Sequence, residues 1–134
     1  MARYLLDTTV LIDYFHGNRS VTELISMLNE EGHFLGVCGI NIAEFYSGLS
    51  SLERQQADEF IRALEFYSIT LAEAKRAGQY RYDFARRGVN LNMADTVIAA
   101  VAVEENATLV TGNLRHFPMP EIRLMQMPSR RGYP

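Results

Sequence analysis

The chain has 134 residues, 48% of them hydrophobic, and a formal net charge of −3. This length accommodates one domain with its own core but not two, and the acidic balance excludes a protein that attracts nucleic acid through its overall charge. The single cysteine, Cys38, excludes an internal disulfide, and its apolar surroundings favour a buried core thiol.

Apolar runs in the sequence are too short to cross a membrane. A spanning helix needs about 20 apolar residues, whereas the longest run ends at Glu104 and Glu105. Asp7 and Asp13 interrupt the first apolar stretch, which is not typical of a secretory leader. We therefore expect a soluble, cytoplasmic protein.

Short apolar segments alternate with longer amphipathic segments along the chain. The pattern predicts strands at 4–6, 34–40, 66–70, 108–111 and 122–125, and helices at 10–15, 20–32, 41–49, 52–65, 71–87 and 93–105. Ser20 and Glu23 form a predicted capping box for the second helix, Gly88 ends the fifth, and Asn92 caps the sixth. This alternation predicts an α/β domain with a mostly parallel sheet. We assign residues 1–127 to the domain and 128–134 to a flexible C-terminal tail.

Four oxygen-bearing side chains stand where this sheet should end. Asp7 follows the first strand, and Asn113 follows the strand at 108–111. Glu44 and Asp95 each lie in the first turn of a predicted helix. Because the carboxyl ends of strands in open α/β sheets form the crevice where ligands bind, we expect these four side chains to meet at one edge.

Each of these residues also has a structural interpretation. Asp7 can cap the helix that follows it, and Asn113 suits a tight turn. Glu44 and Asp95 each lie three residues after an asparagine, which is the spacing of a capping box. Capping does not explain the convergence, because clustered carboxylates raise one another's pKa unless a cation neutralises them.

A hard divalent cation is the natural partner for such a cluster. Mg²⁺ prefers oxygen ligands and retains several waters, and the chain offers no Cys or clustered His set for zinc. Such an ion can activate water for attack on a phosphodiester. The carboxylates therefore predict a metal-dependent nuclease.

Four segments carry a closer resemblance: LLDTTVLI at 5–12, INIAE at 40–44, MADTVIAA at 93–100 and TLVTGNLRHF at 108–117. In this order and spacing, they make the chain similar to the PIN-domain nucleases, especially the VapC-type toxins of prokaryotic toxin-antitoxin pairs. The resemblance implies a three-layer α/β/α fold with a four- or five-stranded, mostly parallel sheet. It also implies an endoribonuclease that uses Mg²⁺ or Mn²⁺, forms a homodimer and is inhibited by a small antitoxin.

The resemblance also assigns roles to individual residues. It implies that Asp7, Glu44 and Asp95 bind the metal and that Asn113 occupies the fourth catalytic position, where asparagine carries one negative charge fewer than aspartate.

Residues beside these ligands are predicted to support them. Thr8 matches the family pattern, and Thr111 is placed to orient a ligand or water. Thr9 departs from the common Asn or Ser, so we assign its hydroxyl only a supporting hydrogen bond. For His116 we favour an exposed loop position over a role in proton transfer.

Two further features suggest contacts with partners. The predicted helix at 71–87 mixes arginine with aromatic residues, a composition suited to gripping a single strand of RNA, and Arg86 is the preferred RNA-binding residue. Four apolar residues are candidates for the wall of an antitoxin groove, with ordinary core packing as the alternative: Phe15, Phe45, Tyr46 and Leu49.

Other functions remain compatible with the carboxylates alone. A metal-dependent DNA nuclease or a phosphatase would use the same ligands. A non-catalytic PIN-like binding domain would use the acidic residues only as helix caps.

Overall fold

The computed structural model describes residues 1–128, which form an α/β domain around one five-stranded sheet. All neighbouring strands are parallel, in the order β3-β2-β1-β4-β5. The strands are β1 (Arg3–Leu6), β2 (Phe34–Cys38), β3 (Glu65–Tyr67), β4 (Ala107–Thr111) and β5 (Arg123–Gln126). This confirms the predicted fold class. Pro128 is the last residue described, so residues 129–134 of the predicted tail lie outside the described part of the chain.

Six α-helices cover the two faces of the sheet. They are α1 (Thr8–Phe15), α2 (Arg19–Glu30), α3 (Gly39–Ser47), α4 (Ser51–Arg62), α5 (Leu71–Arg86) and α6 (Met93–Glu104). Successive residues of a strand point to opposite faces. Leu5 accordingly packs into a core with α5 and α6, whereas Leu6 packs into a core with α1, α2, α3 and α4. The molecule therefore has three layers, and within residues 1–128 no helix is long and apolar enough to span a bilayer.

The strand order places a crevice beside β1. From β1 the chain continues to β2 and β3 on one side of the sheet, and later returns to β4 and β5 on the other. The connections that leave β1 and β4 therefore diverge at the carboxyl end of the sheet, which is where α/β proteins bind ligands.

Helix α2 begins earlier than the sequence suggested. Asn18 is its N-cap, and Asn18 Oδ1 accepts a hydrogen bond from the backbone N–H of Val21 at 3.3 Å. Gly17 has a φ of +79°, which lets the chain turn tightly into this cap. The prediction that Ser20 caps the helix is therefore wrong.

The second and third strands also differ from prediction. Strand β2 stops at Cys38 because α3 begins at Gly39, and the backbone N–H of Cys38 donates to Asn41 Oδ1 at 3.1 Å. Strand β3 covers Glu65–Tyr67 rather than 66–70, because Thr70 is already the N-cap of α5. Gly88 ends α5 and Asn92 caps α6 as predicted, and Cys38 is fully buried.

Candidate active site

Asp7 lies at the centre of the crevice with both carboxylate oxygens engaged. It follows β1, caps α1 and is only 6% exposed. Its Oδ1 accepts from the backbone N–H of Thr8 at 2.8 Å, and its Oδ2 accepts from the hydroxyl of Thr111 at 2.6 Å. The capping interpretation of Asp7 is therefore correct, and the same side chain is also tied to the end of β4.

Thr111 connects Asp7 to the segment that carries Asn113. The Thr111 hydroxyl donates to Asp7 and accepts from the backbone N–H of Asn113 at 3.0 Å. The side chain of Asn113 is exposed at the exit of β4. Thr111 therefore holds the β4 exit against the end of β1, in keeping with its predicted supporting position.

Glu44 is exposed and is held by Thr8. The Thr8 hydroxyl donates to Glu44 Oε1 at 2.6 Å, which joins the start of α1 to α3. Because α3 begins at Gly39, Glu44 lies in its second turn. The predicted first-turn position and capping box with Asn41 are therefore wrong, since Asn41 itself caps the backbone of Cys38.

Asp95 lies in the first turn of α6, with partners on two sides. Its backbone N–H donates to Asn92 Oδ1 at 2.7 Å, and the Asn92 side-chain amide donates to Asp95 Oδ2 at 2.9 Å. His116 Nδ1 lies 3.3 Å from the same Oδ2. Asp95 is therefore part of the helix cap, and it is also in contact with the loop after β4.

Comparison with known proteins identifies the family. The sequence model of the PIN domain matches residues 4–119. The chain belongs to the PIN-domain family. Ribonuclease VapC19 of Mycobacterium tuberculosis is 30% identical over 117 residues, which cover 86% of this chain and 92% of that protein.

Solved structures show the same fold. A Rickettsia felis structure of VapBC2 bound to a promoter DNA fragment has a chain that aligns with a TM-score of 0.84, at 23% identity, over 94% of this chain and 99% of that one. A DNA-bound VapBC from Salmonella typhimurium aligns with a TM-score of 0.82, at 24% identity, over 96% and 100%. Asp7, Thr111 and Asp95 all fall inside the matched PIN domain.

The acidic side chains of this PIN domain influence one another's pKa values. Burial raises the pKa of Asp7, the hydrogen bonds from Thr111 and Thr8 lower it, and the charge of Glu44 raises it. Burial also raises the pKa of Asp95, the neighbouring His116 lowers it, and the charges of Asp7 and Glu44 raise it. The three carboxylates therefore share one electrostatic environment, although they come from three separate segments.

The candidate ligands suit a metal ion in their chemical type, but they do not form a complete coordination shell. Within residues 1–128, no three His, Cys, Asp or Glu side chains are grouped as a ready-made metal site. The donor set nevertheless consists of carboxylates, and burial and neighbouring negative charge raise the pKa of Asp7 and of Asp95, a cost that a hard divalent cation relieves. Waters and substrate oxygens commonly complete such a shell around Mg²⁺.

Two predictions about supporting side chains need correction. Thr9 Oγ1 is buried and makes no hydrogen bond within the described residues, so its predicted supporting bond is absent. It faces Gly112, where an added Cβ would lie 3.5 Å from Thr9 Oγ1. His116 is 54% exposed as predicted, but its contact with Asp95 was missed. The only sequence signal was its place in the TGNLRHF segment.

Other candidate residues lie outside this network. Arg86 contacts Tyr82, with its guanidinium carbon 4.1 Å from the ring centroid, and makes no ion pair within residues 1–128. Phe45 and Leu49 are buried in the core on the α1–α4 face, and Phe15 and Tyr46 pack against it. The core interpretation is therefore confirmed for Phe45 and Leu49, whereas Phe15 and Tyr46 are only partly buried.

Proposed function

We propose that this chain is a divalent-metal-dependent endoribonuclease that hydrolyses phosphodiester bonds in RNA and acts as the toxin of a type II toxin-antitoxin system. The observation that carries the proposal is that Asp7, Glu44 and Asp95 lie in a matched PIN domain and act electrostatically on one another, although they come from three separate segments. The 30% identity to a protein named ribonuclease VapC19 supports RNA as the substrate.

We assign Asp7, Glu44 and Asp95 as the ligands of Mg²⁺ or Mn²⁺, and Asn113 as the fourth catalytic residue. PIN-domain ribonucleases generally depend on a divalent metal ion. Such an ion supplies Lewis acidity that activates water and offsets negative charge on the phosphate.

The protein's own contribution is to position these side chains. Thr111 and the Thr8 backbone fix the orientation of Asp7, and the Thr8 hydroxyl fixes one oxygen of Glu44. Hydrogen bonds of this kind orient metal ligands, and their removal commonly costs about 10- to 100-fold in metal affinity or activity. Thr8 and Thr111 are therefore supporting residues in this proposal.

Helix α5 supplies an exposed arginine for the RNA strand. Arg86 lies over the ring of Tyr82, and Tyr82 is itself 56% exposed. An exposed arginine beside an aromatic ring can contact phosphate while the ring stacks on a base. We assign Arg86 to RNA binding on this basis.

The proposed partners are a cognate small antitoxin and a second copy of the chain. Solved structures that share this fold include VapBC complexes, which supports an antitoxin partner. We also propose that the chain forms a homodimer. We propose a cytoplasmic location as well, because its RNA substrate is found there. We also propose that the PIN domain ends near residue 127.

The test is to incubate the purified protein with labelled RNA, single-stranded DNA and a phosphomonoester in the presence of Mg²⁺. We expect cleavage of RNA only, loss of at least 100-fold in rate for Asp7→Ala, and sequenced RNA ends that appear with wild type alone. Preferred cleavage of DNA or the phosphomonoester would instead support the corresponding alternative enzyme.

A matched variant separates catalysis from capping. Asp95→Asn keeps one side-chain oxygen that can still accept the hydrogen bond from Asn92 but removes the charge, so we expect lost cleavage with an unchanged thermal midpoint. Full activity in Asp95→Asn would favour a non-catalytic, capping role for the acidic residues.

The toxin role has its own test in cells. Expression of the chain alone should slow growth, and co-expression of a short reading frame adjacent to its gene should restore it. Normal growth on expression of a folded, RNA-cleaving protein would contradict the toxin role while leaving the ribonuclease proposal intact.

A further inference from the structure

A surface hollow beside the carboxylates differs in charge from the carboxylate cluster itself. It has a volume of about 380 Å³ and lies where the chain leaves β4, next to the end of β5. We call it the loop hollow, and its lining residues are Gly112, Asn113, Leu114, Arg115, His116 and Gln126.

The loop hollow adjoins the candidate active site on two sides. The backbone N–H of Asn113 donates to Thr111, which in turn donates to Asp7. His116 Nδ1 lies 3.3 Å from Asp95 Oδ2. The loop hollow is therefore linked to Asp95 through His116 and to Asp7 through Thr111.

The lining of the loop hollow contains no aspartate or glutamate. Four other hollows in the described part of the chain each include a glutamate, namely Glu65, Glu105 or Glu121. A carboxylate in the lining would repel a phosphate, so the loop hollow suits an anion better than these four do.

Arg115 supplies positive charge to the loop hollow. Its side chain is exposed and makes no hydrogen bond or ion pair within residues 1–128. By comparison, Arg3 and Arg76 are paired with glutamates, and Arg123 donates to Asn106. The guanidinium of Arg115 is thus available for a bidentate contact with phosphate.

The other residues that line the loop hollow can contact the base and the ribose of a nucleotide. Leu114 is 38% exposed and offers an apolar surface for a base or ribose. Asn113 and Gln126 offer side-chain amides that can donate and accept hydrogen bonds. A cationic group, an apolar surface and two amides together fit a phosphate-bearing nucleotide better than an acidic peptide.

We propose that the loop hollow binds the nucleotide next to the scissile bond of the RNA strand, with Arg115 contacting its phosphate. This inference rests on the proposed ribonuclease function and adds a substrate subsite to it. The loop hollow would counteract the repulsion between the RNA backbone and the acidic cluster, because it places a positive charge at the cluster's edge.

The experiment measures kcat/KM for a labelled single-stranded RNA over a series of salt concentrations. The proteins are wild type, Arg115→Ala, Arg115→Lys and the control Arg54→Ala, and all should show the same thermal midpoint. Arg54 is also exposed and without a partner in the described residues, but it lies on α4, which supplies no site residue.

We expect Arg115→Ala to lower kcat/KM roughly tenfold at low salt, in line with loss of one charged hydrogen-bonded contact. Loss of one phosphate contact on a single strand should also reduce the slope of log kcat/KM against log salt by about 0.7. Arg115→Lys should keep the wild-type salt slope and have a kcat/KM between those of wild type and Arg115→Ala. Arg54→Ala should match wild type in both.

The outcomes separate the subsite from the activity. Equal rates and equal salt slopes for Arg115→Ala and Arg54→Ala would contradict nucleotide binding in the loop hollow. Cleavage of RNA by wild type would be unaffected by that result. No RNA cleavage by wild type would instead count against the proposed function itself.

Discussion

At the residue scale, two threonine hydroxyls connect the segments that carry the candidate carboxylates. Thr111 donates to Asp7 and accepts from Asn113, and Thr8 donates to Glu44. The bonds to Asp7 and Glu44 join elements that are distant in the sequence, whereas the bond from Asn113 fixes the turn that follows β4. The positions of the carboxylates therefore depend on buried or half-buried threonines as well as on the ends of the strands.

Thr111→Val tests this dependence, because valine keeps the shape of threonine and removes its hydroxyl. Asp7 Oδ2 and the backbone N–H of Asn113 would each lose a partner. We expect kcat/KM for RNA to fall by about 10- to 100-fold and the free energy of unfolding to fall by about 1–3 kcal/mol.

Thr108→Val on the same strand provides the control. Thr108 lies near the start of β4, makes no side-chain hydrogen bond within residues 1–128 and pairs with Arg123 of β5 through the backbone register. Its replacement should leave RNA cleavage unchanged. Equal cleavage by the two valine variants would show that the hydroxyl of Thr111 has no positioning role.

The convergence of Asp7 and Asp95 could be predicted because it follows from strand ends and one helix cap. The contact between His116 and Asp95 could not, because it depends on the path of the 3₁₀ turn Leu114–His116. A sequence pattern indicates that a loop is present, but it does not determine which way the loop folds over its neighbours.

At the element scale, periodicity predicted every α-helix and strand in residues 1–128 but not the 3₁₀ turn at Leu114–His116, and the errors in the predicted elements fall at their ends. Asn18 rather than Ser20 caps α2, and Cys38 rather than Asn41 precedes α3. Several neighbouring residues in each case are capable of capping, and tertiary packing selects among them. Asn18 and Asn41 are both fully inaccessible to solvent, and their side chains make the capping hydrogen bonds at these two helix starts.

Two glycines allow a test of how the elements pack. A Cβ at Gly36 in β2 would lie 2.4 Å from the ring of Tyr67, which is buried on β3. The ring cannot move away without disturbing the core. We expect Gly36→Ala to lower the free energy of unfolding by about 1–3 kcal/mol in urea titrations.

Gly78→Ala is the matched substitution in an open environment. Gly78 is exposed within α5, and an added Cβ would meet nothing within 4 Å. We expect the free energy of unfolding of this variant to rise by about 0.5–1 kcal/mol, because alanine has a higher helix propensity than glycine. Similar effects of both alanines would contradict the close approach of β2 and Tyr67.

At the scale of the whole molecule, the burial of Asp7 makes stability depend on pH. The folded pKa of Asp7 is raised by burial above the ordinary aspartate value. Between the ordinary and the folded pKa the folded state binds more protons than the unfolded state. The free energy of unfolding therefore falls as pH rises through this window.

The prediction compares wild type with Asp7→Asn in the presence of a chelator. As pH rises through that window, wild type should lose stability relative to Asp7→Asn, whose amide carries no charge. At neutral pH, Mg²⁺ should raise the thermal midpoint of wild type by a few degrees and leave the variant nearly unchanged. Thermal unfolding followed by circular dichroism measures both effects.

Asp83→Asn serves as the control for this comparison, because Asp83 is exposed on α5 and bonds only to Gln79 among the described residues. It should follow the wild-type pH and metal dependence. Parallel pH curves for wild type and Asp7→Asn would mean that Asp7 carries no electrostatic cost in the folded protein.

The most direct measurement is anomalous diffraction from crystals grown with Mn²⁺, a metal whose position the X-ray data can reveal. We predict one strong anomalous peak within coordinating distance of carboxylate oxygens from Asp7, Glu44 and Asp95, and none in crystals of Asp7→Asn. A crystal saturated with Mn²⁺ that shows no peak among these three side chains would contradict the shared metal site.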